Sequence, residues 1–243
     1  MKLKYGLIIA ILLLLLCVSL ALNYIFYKKA FIPLHAAKLD PIGLSYYPVT
    51  NLENRDDKPI VMFYGDSRGL SWPHPQLNHY QFLNRSIGNQ TSIQVLERFK
   101  QHVVPYHPDI IIIQVCINDL KMIPLFPSKR DKIITDCKHN LQVLVKRAEK
   151  IKAKVILSTV FPLGKISLAR KLLGMKEKPI MDAIDEVNIY IKSLASDNIQ
   201  IFDSYRLLKG VGQAIDPQYS HDWLHLNQKA YQYLNEQLVV FLE

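Results

Sequence analysis

A chain of 243 residues, 49% of them apolar and 21% charged, is long enough for one sizeable core and lacks the bias of a disordered or fibrous sequence. Its formal charge of +9 invites an anionic partner, but Lys2, Lys4, Lys28 and Lys29 flank an acid-free apolar segment, which leaves +5 for the remainder. That remainder has no basic stripe interleaved with aromatics, which argues against a nucleic-acid partner. Three cysteines are too few for a disulfide framework.

Residues 7–22, LIIAILLLLLCVSLAL, hold no charge, and apolar character continues through Tyr24-Ile25-Phe26. A bilayer-spanning helix needs roughly 20 such residues, so the stretch predicts a membrane helix over residues 6–26. The tail past Ala21 and the Lys28-Lys29 stop favour an uncleaved single-pass anchor with the body of the protein outside the cytoplasm. The rival is a signal peptide cut after Ser19-Leu20-Ala21, giving a secreted protein. Cys17 is no lipoprotein site, because Leu16 stands where a small residue is needed. The expected organisation is an anchor over 1–29, a proline-containing connector over 30–57 and one domain over 58–243.

Within that domain, PIVMFYG, DIIIIQVC, AKVILSTVF and NIQIFD are continuous apolar runs of strand length, and QFLNRSI is a shorter candidate. Such runs are what parallel strands buried on both faces require. Helical periods separate them: residues 131–151, with Ile134, Cys137, Leu141 and Leu144 on one face; residues 180–194, with Ile184, Val187 and Ile191; and a last helix over 228–242. Strand and helix in alternation predict an α/β fold, a three-layer α/β/α sandwich around a parallel, flavodoxin-like sheet. Ligands bind such sheets at the carboxyl ends of the strands. Cys116 and Cys137 read as small core residues; a bridge between them is compatible with an oxidising compartment but nothing in the sequence requires it.

Four short segments fall at strand ends or beside the last helix. Gly65-Asp66-Ser67 ends the first strand, Gly88 in SIGNQTS follows the second, and Asn118 in INDL ends the third. In SHDWLHLN, Asp222 and His225 stand three apart, so on one turn they would share a face. Taken singly, each is an ordinary turn or cap. A serine, an uncharged amide, a carboxylate and a histidine, in this order along the chain, supply what a nucleophile needs: a donor for developing negative charge, an orienting acid and a base.

Together these segments resemble the four signatures of the SGNH hydrolases, also called the GDSL esterase/lipase family, over about residues 58–242. The resemblance implies Ser67 as nucleophile, His225 as general base and then acid, and Asp222 as the orienting carboxylate. It implies an oxyanion hole made of the backbone N–H groups of Ser67 and Gly88 and the side-chain amide of Asn118. No cofactor and no metal is implied; the partner is a small-molecule or polymer ester.

Two departures from the family pattern stand out. Cys116 occupies a position usually held by glycine, which bears on the backbone path beside the hole. Arg68 replaces a small or aliphatic residue, either to bind an anionic group of the substrate or to pair with a nearby acid. Trp72 is placed by position on another wall of the site. The segment 161–179, FPLGKISLARKLLGMKEKP, is expected to pack its leucines on the domain, the alternative being a lid or a membrane-surface contact. The leading activity is cleavage of carboxylic esters, of lipid or acylated carbohydrate, through an acyl-enzyme. An O-acyltransferase or deacetylase of an envelope polysaccharide, or a non-catalytic envelope protein of the same fold, are the alternatives.

Overall fold

The computed structural model describes residues 2–48 and 57–243. Helix α1 (Lys2–Leu39) carries Pro33 within it. Between Lys4 and Leu39 it is long and apolar enough to cross a membrane: an 18-residue window within it has a mean hydropathy of 2.9 and is uncovered. The chain divides into two units, Met1–Pro41 and Ile42–Glu243. The connector expected over 30–57 is therefore shared out: its first residues continue α1, and residues 42–48 pack on the larger unit. There Gln90 and His102 meet the carbonyls of Ile42 and Leu44, and the Tyr47 hydroxyl donates to Ser86 O at 2.6 Å. The part of that connector over 49–56 lies outside the described residues.

The larger unit is built on strands β1 (Ile60–Gly65), β2 (Gln81–Asn84), β3 (Ile110–Gln114), β4 (Lys154–Ser158) and β5 (Ile199–Phe202). All pair in parallel in the order β2-β1-β3-β4-β5. Side chains alternate across the sheet because strand residues point to opposite faces. Met62, Tyr64, Ile111, Ile113 and Leu157 enter one core. Val61, Phe63, Ile112, Ile156 and Phe202 enter the other. Each face is apolar, so each needs a covering layer, and this is why the strands read as unbroken apolar runs.

The first face is covered mainly by α6 (Arg130–Lys150) and α8 (Glu177–Ser193), whose buried residues Cys137, Leu141, Leu144, Ile180, Ile184 and Val187 recur every three or four positions. The short helices α3 (Ser92–Glu97) and α4 (Phe99–His102) add to it. The second face is covered by α10 (Gln228–Leu242), through Leu234, Leu238 and Leu242, with α9 (Ser204–Leu208) beside it. These are the three layers expected from the alternation of apolar periods.

β1 lies between β2 and β3, so the chain leaves β1 toward one edge and later returns to the other side. The ends of β1 and β3 thus flank the point where the strand order reverses, the usual crevice for a ligand. The two ends approach closely. A Cβ at Gly65 would lie 1.8 Å from the Gln114 carbonyl oxygen, a contact no side chain allows, so glycine is obligatory there. The signature that opens with this glycine is in part a packing requirement.

Candidate active site

Ser67 is the first residue of α2 (Ser67–Leu70), and Asp66 is its N-cap, accepting from the Arg68 N–H at 2.9 Å. At the first helical position a backbone N–H has no partner within the helix, so that of Ser67 has no intrahelical acceptor. Ser67 Oγ lies 3.1 Å from His225 Nε2, and His225 Nδ1 lies 2.9 Å from Asp222 Oδ2. The serine, histidine and aspartate named from sequence are therefore brought into one relay although Ser67 and His225 stand 158 residues apart.

Asp222 and His225 are not on a helix turn, as their spacing suggested. They sit in a loop between Ser220 and Leu226, which bridge one another. The loop is shaped by the carboxylate: Asp222 Oδ1 accepts from the N–H of Leu224 at 2.7 Å and of His225 at 2.8 Å, leaving Oδ2 for the imidazole. Desolvation would raise the Asp222 pKa, but the His225 ring and those two N–H groups outweigh it and bring it down to about 2. The carboxylate is thus ionised at any pH at which a histidine base is useful. Gly164 is the close-approach point beneath this loop, since a Cβ there would lie 2.7 Å from Asp222 O.

On the other side of Ser67, a Cβ added to Gly88 would lie 3.9 Å from Ser67 Cβ. The Gly88 turn thus stands beside Ser67. Asn118 is buried in α5 (Ile117–Leu120), and its Nδ2 donates to Gln90 O at 2.9 Å. Its Oδ1 accepts from Lys121 Nζ at 2.6 Å, and the same ammonium reaches Asn89 Oδ1 at 3.0 Å. Lys121 thereby ties the Gly88–Asn89 turn to α5 and holds the Asn118 amide in one orientation. Sequence reasoning missed Lys121; its only signal was its place one turn after Asn118. Asp119 adds a second tie, accepting from Ser92 N at 2.8 Å and Ser92 Oγ at 2.7 Å. Burial pushes the Asp119 carboxyl up to about 6.

Two side chains are placed differently from the sequence expectation. Arg68 neither faces a substrate nor pairs with an acid. It is fully buried, its Nε donates to Leu224 O at 2.9 Å, and Nη1 and Nη2 donate to Phe161 O and Pro162 O. A guanidinium carries five donors in a planar fork, and here the fork fastens the residue after Ser67 to the loop that bears Asp222 and His225. Burial lowers its pKa to about 10, so it stays charged. Trp72 borders a cavity of about 350 Å³ with Phe63, His74 and Phe82, which neither Ser67 nor His225 lines, and so is no wall of the Ser67 crevice. It is 1% exposed among Phe63, Phe161, Phe202 and Tyr231, with Nε1 donating to Asn235 Oδ1 at 2.8 Å. Cys116 is joined to Cys137 by a disulfide and stands at φ +91°, in the left-handed region that favours glycine.

The segment after β4 differs as well. Leu168, Leu172 and Leu173, expected against the domain, are 73%, 80% and 77% exposed on and beside the short helix α7 (Leu168–Leu172). A cavity of about 460 Å³ lies between α3, α5 and α6, lined by Thr91, Met122, Ile133 and His139 among others; neither Ser67 nor His225 reaches it. Among the described residues no cluster of potential metal ligands is present.

Among curated proteins none matches the chain. Solved structures do. A Bacteroides fragilis protein regarded as an acylhydrolase superposes with a TM-score of 0.64 at 24% identity, covering 84% of this chain and 97% of its own. A GDSL-like lipase from Bacteroides thetaiotaomicron gives 0.60 at 21%, covering 85% and 98%. A lipase/acylhydrolase from Enterococcus faecalis gives 0.56 at 18%, covering 76% and 95%. At these identities the likeness speaks to the fold. Activity class follows from the sequence family, whose match spans residues 56–233. The chain is an ester-hydrolysing enzyme and belongs to the GDSL-like Lipase/Acylhydrolase family.

Proposed function

We propose that the chain cleaves carboxylic esters, of a lipid or an acylated carbohydrate, through an acyl-enzyme on Ser67. The observation that carries this reading is the continuous relay from Ser67 Oγ through the His225 ring to Asp222 at the strand-end crevice. A serine hydroxyl is a poor nucleophile until a base takes its proton. His225 Nε2 is within reach of that proton, while Asp222 holds the opposite ring nitrogen as a donor and stabilises the imidazolium that forms. As Oγ adds to the ester carbonyl, the oxygen becomes an oxyanion met by the N–H of Ser67, the N–H of Gly88 and the Asn118 amide. His225 then passes its proton to the departing alcohol. Water, deprotonated by the same ring, releases the acid and restores the serine.

In this reading α1 holds the enzyme at a membrane, by its length and apolarity. The Cys116–Cys137 bridge suits an oxidising, extracytoplasmic compartment.

The test uses the full chain in detergent, with a fluorophosphonate probe and nitrophenyl esters of short and medium acyl length. Wild type is expected to label and turn over, and Ser67→Ala to do neither. His225→Ala should lose most of both, whereas Asn118→Ala should keep labelling slowly while kcat falls roughly 100- to 1,000-fold, the usual cost of one oxyanion donor. Undiminished turnover by a folded Ser67→Ala chain would remove the reading.

A further inference from the structure

An ordered but outward-facing apolar surface stands beside the proposed site. α7 is held from below: Arg170 Cζ lies 5.2 Å from the Trp223 ring, between Asp222 and His225 in the chain. Its far end closes through Gly174, at φ +91°, with Gly174 N–H donating to Lys171 O and Met175 N–H to Arg170 O, each at 3.0 Å. Against this support Leu168, Leu172 and Leu173 are 73–80% exposed. A hypothetical Cβ at Gly174 would lie 3.5 Å from Leu125 Cδ2, so the loop bearing Leu125 and Phe126, themselves 43% and 45% exposed, adjoins it.

The charge around these residues has one sign. Lys165, Arg170, Lys171, Lys176 and Lys178 face a single acid, Glu177, across residues 165–178, and Lys129 Nζ stands 5.6 Å over the Phe126 ring. Of those cations only Lys178 is paired within its own helix, to Asp182 at 2.8 Å. Leucines this exposed form a knob rather than a groove, which suits insertion into a soft surface better than the seating of a peptide. A knob of leucines collared by lysines matches the boundary of an anionic bilayer, where apolar side chains enter the acyl region and cations meet headgroup phosphates. The same chain carries a helix long and apolar enough to cross a membrane, so a bilayer is within its reach.

We infer that α7 and the adjoining Leu125–Phe126 loop form an interfacial contact for an anionic phospholipid surface, bringing the mouth of the Ser67–His225 site against the membrane. The occupant is the lipid surface itself, and the contact does not depend on the catalytic reading.

Full-length Leu172→Trp, reconstituted in phosphatidylcholine vesicles with or without phosphatidylglycerol, tests it by quenching with brominated lipid. The two native tryptophans, Trp72 and Trp223, are 1% and 8% exposed and set the background. Quenching at least twofold above the parent chain is expected with phosphatidylglycerol present, falling toward background when Lys165, Lys171 and Lys176 are all changed to Glu. Should that triple variant fold poorly, raising the salt tenfold on Leu172→Trp must weaken the quenching instead, since surface attraction is screened. Quenching no greater than the parent's, or equal with and without phosphatidylglycerol, overturns the proposal. A blue-shifted but unquenched tryptophan also overturns it, because protein then covers the knob. Adding Ser67→Ala must leave quenching unchanged, which separates this outcome from any failure of the ester-cleavage mechanism.

Discussion

Asn118 shows how much a single donor depends on its neighbour. Its Nδ2 already gives one hydrogen to Gln90 O, and Lys121 Nζ holds Oδ1, so the amide plane is set and, on the proposed mechanism, the second hydrogen would serve the oxyanion. Removing the ammonium frees the amide to rotate without deleting it. Lys121→Met should therefore lower kcat by roughly tenfold, less than the loss of the amide itself, with KM little changed and partial recovery in Lys121→Arg. Steady-state kinetics on a nitrophenyl ester decide this, and an unchanged kcat would show that Asn118 needs no such support. The sequence made Asn118 and Ser67 legible as candidates because each stands at a strand end within a signature that resembles the family's. It did not reveal Lys121, Arg68 or Trp72, whose long or bulky side chains go wherever the packed structure leaves room. A guanidinium written beside a nucleophile reads as a substrate contact until its three carbonyl partners, drawn from residues 161–162 and 224, are brought together by the fold.

At the scale of elements, the Cys116–Cys137 bridge joins the entry of α5 to the middle of α6. It closes a loop with a sequence separation of 21, for which chain-entropy arguments give about 3 kcal/mol of stabilisation. Cys116 meanwhile holds a left-handed backbone that costs a non-glycine residue about 1–2 kcal/mol. Cys137→Ala should thus lose about 3 kcal/mol in denaturant unfolding, and adding Cys116→Gly should return about 1 kcal/mol. If glycine at 116 lowers stability further, the left-handed backbone is not what limits this position. The long elements were legible for a plain reason: β1, β3, β4 and β5 are apolar on both faces, and α6, α8 and α10 run long enough to show a period. Helices α2 to α5, α7 and α9, four to six residues each, are too short to carry one. In α7, Leu168 and Leu172 have the i, i+4 spacing of a buried face, yet spacing reports only a shared face, not what covers it.

For the whole molecule, the buried carboxyls set the pH dependence of stability. Burial raises Asp66 to about 7 and Asp119 to about 6. Both therefore keep a proton in the folded chain at pH values where the unfolded chain has released it. The folded state binds more protons between about pH 4 and 7, so stability falls as pH rises through that window. Asp222 acts oppositely: its depressed pKa adds stability above about pH 4 that is lost as pH falls toward 2, by little, because the group is well exposed. Asp66→Asn keeps a cap acceptor for the Arg68 N–H and removes the group that titrates last. Denaturation of this variant should show a flatter profile between pH 6 and 7 than wild type. An identical slope would place the titration elsewhere.

The distance along the chain between Ser67 and His225 also fixes an order of events during synthesis. The serine leaves the ribosome 158 residues ahead of the histidine that would activate it, and the carbonyl of Leu224 that receives Arg68 emerges one residue before that histidine. Until then Ser67 is a lone hydroxyl on an unfastened turn. On the proposed mechanism, any chain interrupted before the last loop would be silent toward esters, however well its first strands have formed, and activity would begin in a single step when that loop closes.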